Sequence, residues 1–252
     1  EGLSNGGFAV AYGWKQYSTH SLGYNGYLHF YDSNSNVVST KSIGYRNHSM
    51  DMIALESGGV GLFTNQGTSY YQRYSRESLS YKEYPNNNGT GSITTQAVDN
   101  NNAGSYGIEL DTHDALELTN GNIVLVYHKR ASQTTSTYER YFKIYNPGTN
   151  TLGSAVSLTG GNTHSDIARD GDGFIVIAAN GSVALGADII AQKFNADGSA
   201  NGSQFNIASS VIGLLDPQIV DSGVASLNVS AIRTGQESGS GTSGSIGSGL
   251  TG

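Results

Sequence analysis

Turns that contain glycine recur about every 50 residues along this chain, and this spacing constrains the fold more than any other feature. Gly7, Gly59, Gly173 and Gly223 each stand at the start of a short apolar run, and Asn122 takes the same place in the third unit. One step, between positions 59 and 122, is longer than the others. Repeats of roughly 50 residues with about four short strands each are typical of β-propeller blades.

The clearest repeat unit lies at residues 188–207, DIIAQKFNADGSANGSQFNI. Residues 190–194 alternate with the period of two expected of a strand. Residues 195–198 supply turn chemistry, because Gly tolerates positive φ and Asn and Asp bond their own backbone. Residues 204–207 then resume the strand pattern. The sequence therefore predicts an all-β fold, a β-propeller of four to five four-stranded blades.

The repeats divide the chain into one propeller-like domain and a tail. The domain is predicted to cover residues 1–234, with repeats at about 1–46, 47–110, 111–162, 163–213 and a partial unit at 214–234. Residues 235–252 are rich in Gly and Ser and predict a flexible tail or linker.

Two points of organisation are open in the sequence. Residues 70–74 match the third strand of the first repeat, so the strand-like pieces at 79–84 and 92–98 are interpreted as an insertion. The ring could close by placing residues 215–220 beside the first repeat, or the chain could be a fragment of a longer array.

Composition excludes several classes of function. The net charge is −7, with 13 Lys and Arg against 20 Asp and Glu, and no basic cluster is present, which argues against nucleic-acid binding. Cysteine is absent, so disulfides and thiolate metal sites are excluded. No apolar run approaches the roughly 20 residues of a membrane span, so membrane insertion is not expected. A start at Glu1, without Met, favours a processed or partial chain.

One unit carries a resemblance to known proteins. The pattern G-F-x-V-x-[AW], followed by D-I-x-A-Q-x-F-x-A-D-G-x-x-x-G-x-x-F-x-I, is matched best by residues 172–207. It resembles repeats in very large secreted or surface-bound bacterial proteins, including repeat-rich adhesins. The resemblance covers most of the chain in outline and implies a β-propeller-like module outside the cell. It brings no catalytic residues with it.

Three histidines are predicted to occupy one place in successive repeats, just before the first strand of each: His48, His113 and His164. Each has a carboxylate nearby, in the order Asp51, then Asp111 and Asp114, then Asp166. They could form a shared site for a divalent metal or an acidic glycan at one opening of the channel. The alternative is a structural histidine that orients each blade.

An aromatic segment near the start of the chain is a second candidate site. Predicted to be a loop, it holds Trp14, Tyr17 and Tyr24, flanked by Tyr12 and Tyr27. Exposed Trp and Tyr offer an apolar face and a polar edge to sugar rings. Ordinary packing between blades is the alternative.

Calcium is the one ion that the pattern of oxygen ligands favours, and no cofactor is otherwise required. Asp32, Asn34 and Asn36 alternate as in the first half of a calcium loop, and Asp170 and Asp172 are similar. None is followed by the closing Glu of an EF-hand. Each segment would also serve as a hairpin turn without metal.

Catalysis has one weak candidate cluster, His128, Lys129 and Arg130, in which an imidazole and a cation could act on an acidic polysaccharide. The chain contains no Gly-x-Ser-x-Gly, phosphate-loop or His-Glu-x-x-His motif.

The sequence thus favours a non-enzymatic binding or adhesion module of a larger surface protein, located outside the cell or on its surface. Its predicted partners are glycans or other copies of a surface protein, with homo-oligomers among the expectations. Two alternatives stay open: a structural subunit of an extracellular filament or coat, and a polysaccharide lyase or glycoside hydrolase.

Overall fold

The structure is a computed structural model. It describes residues 1–17, 22–45, 47–66, 78–100, 110–130, 138–158, 165–182, 186–211, 214–221 and 227–233. Over these residues the chain contains strands and turns and no helix, which confirms the all-β prediction. The described part accordingly holds no helix with the length and apolar character needed to cross a membrane.

The strands form five antiparallel sheets that follow one another along the chain. The first sheet contains β1 (Phe8–Tyr17), β2 (Leu22–Tyr31) and β3 (Val37–Tyr45). The second contains β4 (Asn47–Ala54), β5 (Val60–Gln66), β6 (Ser78–Tyr84) and β7 (Thr94–Asn100). The third contains β8 (Leu110–Glu117), β9 (Ile123–Arg130), β10 (Tyr138–Asn146), β11 (Thr151–Leu152) and β12 (Val156–Leu158). The fourth contains β13 (Ser165–Asp170), β14 (Gly173–Ser182), β15 (Gly186–Phe194) and β16 (Phe205–Val211), and the fifth β17 (Leu214–Asp221) and β18 (Leu227–Arg233).

The second sheet corrects the interpretation of an insertion. β6 pairs with β5, and β7 pairs with β6, so these strands are the third and fourth of an ordinary four-stranded sheet. Residues 70–74, predicted as the third strand, lie outside the described residues. The pieces at 79–84 and 92–98 therefore belong to the regular sheet and are not an insertion.

Each sheet of the middle of the chain packs on its neighbours through both of its faces. In β9, Leu125 contributes to the core shared with the second sheet, whereas Val124 and Val126 contribute to the core shared with the fourth. This follows from the alternation of side chains across a strand. Burying one such Leu or Val contributes about 1.5–3 kcal/mol. The sheets are thus held together by a series of cores, one between each pair.

The recurring glycines are explained by a close approach of two backbones. A Cβ atom on Gly7, Gly59 or Gly173 would overlap the carbonyl oxygen of the residue that ends the next strand, respectively Tyr31 of β2, Tyr84 of β6 and Phe194 of β15. Gly59 has in addition a φ of 92°, a backbone conformation that favours glycine. The period in the sequence therefore marks one steric contact, repeated in three sheets.

Among the described residues, no strand of the fifth sheet pairs with a strand of the first. β17 pairs with β18, and its Ile219 packs in the core shared with the fourth sheet. Placing residues 215–220 beside the first repeat is therefore not what the structure shows. On the outer side of β1, the described residues supply a bridge from Gly2 to Phe8 and two bonds between Ala9 and Glu1. The Ala9 N–H donates to the Glu1 carbonyl at 2.8 Å, and the Glu1 ammonium donates to the Ala9 carbonyl at 3.0 Å.

Candidate functional site

A cleft of about 220 Å³ lies between the third and fourth sheets. One part of this interface is filled by aromatic rings: the Phe142 ring centroid lies 5.2 Å from that of Phe174 and 4.9 Å from that of Phe194. The cleft lies where the packing is looser, beside the short strand β12. It is smaller than the roughly 300–1,000 Å³ typical of sites for drug-sized ligands. A ligand of one ring is the size that fits.

The floor and walls of the cleft are mainly apolar. Val156 and Leu158 of β12 form one wall, and Ile190 and Phe194 of β15 form the other. Gln192 lies between those two residues on the same face, because strand positions two apart share a face. Its partner across the sheet is Val176. The alternation of β15 thus places one amide among apolar side chains.

The turn after β15 completes the rim. Asp197 accepts hydrogen bonds from the Ser199 N–H and hydroxyl at 2.8 and 2.6 Å, which fixes the turn. Gly198, with a φ of 85°, lies against Phe142 of the third sheet, so no larger residue fits there. The Gln192 amide donates to the Gly202 carbonyl at 3.0 Å, and Gln204, which is exposed, follows at the edge of the cleft.

Beneath the cleft lies a buried cation. Arg140 borders the cleft, has no exposed surface, and its Nε donates to Nε2 of His128 at 2.7 Å. Because His128 Nε2 accepts this bond, the neutral imidazole carries its proton on Nδ1. Burial lowers the pKa of Arg140 from 12.5 to about 10, so the guanidinium stays charged at neutral pH.

The electrostatics of the cleft favour an anion over a cation. None of the lining residues is acidic, and Ser157, Gln192 and Gln204 supply neutral hydroxyl and amide groups. A charge held under a low-dielectric floor acts over a longer distance than one in water. The arrangement can accept a small ligand with hydroxyl groups and one negative charge.

The three predicted histidines do not share a register position. Asp51, Asp114 and Asp166 do, because they lie opposite Phe63, Val126 and Ile177 at the same place in each sheet. His48, His113 and His164 precede these aspartates by three, one and two residues. His48 and His113 fall where the pairing with the next strand shifts by one residue. The side chains of both, and all of His164, lie outside the described residues.

The aspartates instead join neighbouring sheets. Asp51 of the second sheet accepts the Ala115 N–H of the third at 2.8 Å, and Asp166 of the fourth accepts the Ile219 N–H of the fifth at 2.6 Å. Each bond links the first strand of one sheet to the first strand of the next. This repeated contact is the structural role that the sequence analysis considered for the histidines.

The aromatic segment lies on β1 and β2 and not in a loop. Tyr12 and Tyr27 are cross-strand partners with ring centroids 5.8 Å apart. By strand register, position 14 shares the face of position 12, whereas positions 17 and 24 belong to the opposite face. The predicted platform is therefore divided between two faces; the side chains of Trp14, Tyr17 and Tyr24 lie outside the described residues.

The candidate calcium residues have other partners. Asp32 accepts the N–H groups of Asn34 and Asn36, each at 2.9 Å, which makes it the centre of a turn. Asp170 pairs with Lys193 at 3.0 Å, and Asp172 accepts a hydrogen bond from Thr119 at 3.3 Å. The described residues contain no group of three His, Cys, Asp or Glu that could hold a metal ion. Calcium binding stays a prediction.

The candidate catalytic residues point in different directions. His128 is buried against Arg140, whereas Lys129 lies on the other face of β9 and pairs with Asp99 at 3.7 Å. The side chain of Arg130 lies outside the described residues. The three residues therefore do not form one catalytic group.

Sequence analysis missed the residues that define the cleft: Arg140, Gln192 and Gln204. A usable signal was present, because polar Gln192 interrupts the apolar face of β15 between Ile190 and Phe194. Arg140 carried no such signal, since its position opposite His128 depends on the pairing of β9 with β10.

Comparison with known proteins gives no family. No family model matches the chain, and no curated protein matches it. Among solved structures, similar ones include MPT-4, a mannose phosphorylase from Leishmania mexicana in complex with phosphate ion, with a TM-score of 0.40 and 11% identity over 82% of this chain. The chain spans 64% of that structure, less than two thirds of its length. A hypothetical protein from Leishmania major has a TM-score of 0.37 and 12% identity, over 83% of this chain and 70% of that one. MPT-1, a GDP-Man-dependent mannosyltransferase from Leishmania mexicana, has a TM-score of 0.36 and 11% identity, over 83% of this chain and 71% of that one.

These neighbours correct the functional prediction. Two of the three are named as enzymes, which contradicts the prediction of a non-enzymatic adhesion module of a surface protein. That prediction is not carried further. At TM-scores of 0.40 and below, no activity is transferred from them to this chain.

Proposed function

We propose that this chain binds a monosaccharide-sized ligand with one negative charge, such as a uronic acid, in the cleft between the third and fourth sheets. The cleft itself carries the proposal: an apolar floor, neutral hydrogen-bonding groups at Ser157, Gln192 and Gln204, and a guanidinium beneath it. Apolar walls with a few convergent polar groups are the usual composition of a small-molecule site.

Each part of the cleft has a counterpart in such a ligand. The apolar wall of Ile190 and Phe194 matches the C–H faces of a sugar ring. The Oε1 atom of Gln192 can accept, and the amide of Gln204 can donate and accept, as sugar hydroxyls do. The charge of Arg140 favours a carboxylate, and none of the residues that line the cleft is acidic.

A matched pair of sugars tests the proposal. Glucuronate is expected to bind about tenfold more tightly than glucose, which corresponds to about 1.4 kcal/mol from the charge of Arg140. Chemical-shift titration of the labelled protein measures both affinities and identifies the site, since shifts should concentrate at residues 190–204. Equal affinities, or shifts located elsewhere, would refute the role of the cleft.

A rim variant supplies the control. Gln204→Glu places a negative charge at the exposed edge of the cleft and should weaken glucuronate binding about fivefold more than it weakens glucose binding. Gln96→Glu makes the same change on β7 of the second sheet, and Gln96 is not among the residues that line the cleft. That variant should bind both sugars as the wild type does.

We further propose that the five sheets are blades arranged around a common axis. The supporting contact is between sheets that are not neighbours in the series: Arg169 of the fourth sheet pairs with Glu56, in the turn of the second, at 2.7 Å. Nε of Arg169 also donates to the Glu117 carbonyl of the third sheet at 2.6 Å. A straight row of sheets would keep the second and fourth apart by the thickness of the third, about 10 Å on each side.

Small-angle scattering of a dilute sample distinguishes the two arrangements. A compact chain of this length has a radius of gyration of about 18 Å. We expect a value near this figure for blades around an axis. A clearly larger radius, with the distance distribution of a rod, would exclude the ring.

A further inference from the structure

A lysine faces the preceding sheet at the same place in two of the interfaces. Lys82 of β6 lies opposite Leu62, and Lys143 of β10 lies opposite Leu125. Each of these leucines is the third residue after the turn glycine or asparagine of its repeat, so the two lysines occupy equivalent positions. Because residues opposite each other in a sheet share a face, both lysines lie on the side that packs on the preceding sheet.

Each lysine donates a hydrogen bond to the last strand of the preceding sheet. The Lys82 ammonium donates to the Ile43 carbonyl of β3 at 3.0 Å, and the Lys143 ammonium donates to the Val98 carbonyl of β7. Ile43 and Val98 are the extra residues at which the pairing of these strands shifts. An extra residue of this kind interrupts the ladder, so its carbonyl is available to a side chain. A bond from an ammonium is of the stronger, charge-assisted kind.

Both halves of this contact are missing between the third and fourth sheets. Gln192 of β15 lies opposite Val176, the third residue after the turn glycine of the fourth repeat, and therefore occupies the lysine position. On the other side, the three residues of β12 pair with β10 one by one, without a shift. The described residues of β12 thus include no extra residue that would accept a bond from the next sheet.

The cleft lies where the lysine contact would be. Val156, Ser157 and Leu158 of β12 line one side of it, and Gln192 lines the other. Gln192 does not reach across, because its amide nitrogen donates to the Gly202 carbonyl of its own sheet at 3.0 Å. The space between β15 and β12 is therefore left open.

We propose that Gln192 opens the cleft: glutamine here replaces the lysine that joins the other two pairs of sheets, and the ligand occupies the space which that lysine fills. The inference rests on the proposed function for the ligand, whereas the contact between sheets is independent of it. Glutamine also presents its Oε1 atom as an acceptor for a ligand hydroxyl, which an ammonium cannot do. Position 192 thus determines both whether the site exists and which polar group it offers.

Gln192→Lys restores the residue of the other interfaces and should close the cleft. The lysine side chain is expected to extend to β12, and glucuronate affinity should fall about tenfold or more. Charge alone predicts the opposite, since an added ammonium attracts a carboxylate. Gln204→Lys is the matched control, because it adds the same charge at the exposed edge of the cleft and should tighten glucuronate binding. Gln192→Lys binding glucuronate as tightly as the wild type, or more tightly, would overturn the proposal.

Hydrogen exchange measures the contact without a ligand. In Gln192→Lys the backbone amides of residues 156–158 should exchange about fivefold more slowly or less, because β12 is joined to β15. Lys143→Gln makes the reverse change between the second and third sheets and should speed exchange at residues 96–99 by a similar factor. Unchanged exchange in both variants contradicts the inference. The expected changes in a protein that does not bind glucuronate would refute the proposed ligand and support the role of position 192.

Discussion

His128→Leu is expected to lower the free energy of unfolding by about 1.5–3 kcal/mol, the range for a buried hydrogen bond to a charged group. The imidazole accepts the Nε–H of Arg140 at 2.7 Å, and neither side chain has exposed surface. Leucine fills similar space but accepts no hydrogen bond. A guanidinium would then remain in the interface between two sheets with one donor unsatisfied.

The double variant His128→Leu with Arg140→Met is the decisive comparison. Replacing both partners removes the buried charge together with its acceptor, and such replacements are often neutral or stabilising. We expect it to recover most of the stability lost in His128→Leu. Urea unfolding of the wild type, the two single variants and the double variant gives the coupling energy directly. A double variant no more stable than His128→Leu would show that the pair is not the source of the effect.

The Arg140–His128 pair makes the interface between the third and fourth sheets more polar than the core between the second and third. The second and third sheets pack through Phe63, Leu79 and Leu125, an apolar core in which the polar atoms present are tyrosine hydroxyls. The third and fourth sheets place an arginine and a histidine at the equivalent depth, beside a cleft. Residues that depart from the usual pattern of an apolar core occur most often at functional sites. The stability cost of burying Arg140 is thus consistent with a role in binding an anion.

The all-β architecture could be predicted because its signals are local. The turn glycines have to be glycines, since a Cβ at Gly7, Gly59 or Gly173 would overlap a carbonyl oxygen of the same sheet. That requirement repeats in the first, second and fourth sheets and is visible as a period in the sequence. The lengths of the connections are not restricted in this way. For this reason the third strand of the second sheet was predicted at 70–74, although it lies at Ser78–Tyr84.

The site could not be predicted because it depends on strand register. Arg140 meets His128 only because β10 pairs with β9 so that these two residues are opposite each other. The sheets bury both faces, so alternation does not reveal which face a polar residue occupies. Register also separates two of the predicted histidines from the aspartates that follow them, since the pairing shifts by one residue at His48 and at His113.

Asp51→Asn is expected to remove a pH dependence of stability between about pH 4 and pH 6. Burial raises the pKa of Asp51 from 3.8 to about 6, and the charges of Glu1 and Asp166 add to the effect, whereas the N–H groups of Ala115 and Met52 oppose it. The folded protein therefore binds a proton here at a higher pH than the unfolded chain does. As the pH rises from 4 to 7, the wild type should lose up to about 3 kcal/mol relative to the variant.

The measurement is the difference in free energy of unfolding between wild type and Asp51→Asn, taken by urea at several pH values so that other groups cancel. Asp32→Asn is the control, and its stability difference from the wild type should change with pH in the opposite direction. Hydrogen bonds from Asn36 hold the pKa of Asp32 below its ordinary value. The wild type should lose stability relative to that variant as the pH falls. If the Asp51 difference is flat from pH 4 to 7, its carboxylate is not buried between the sheets.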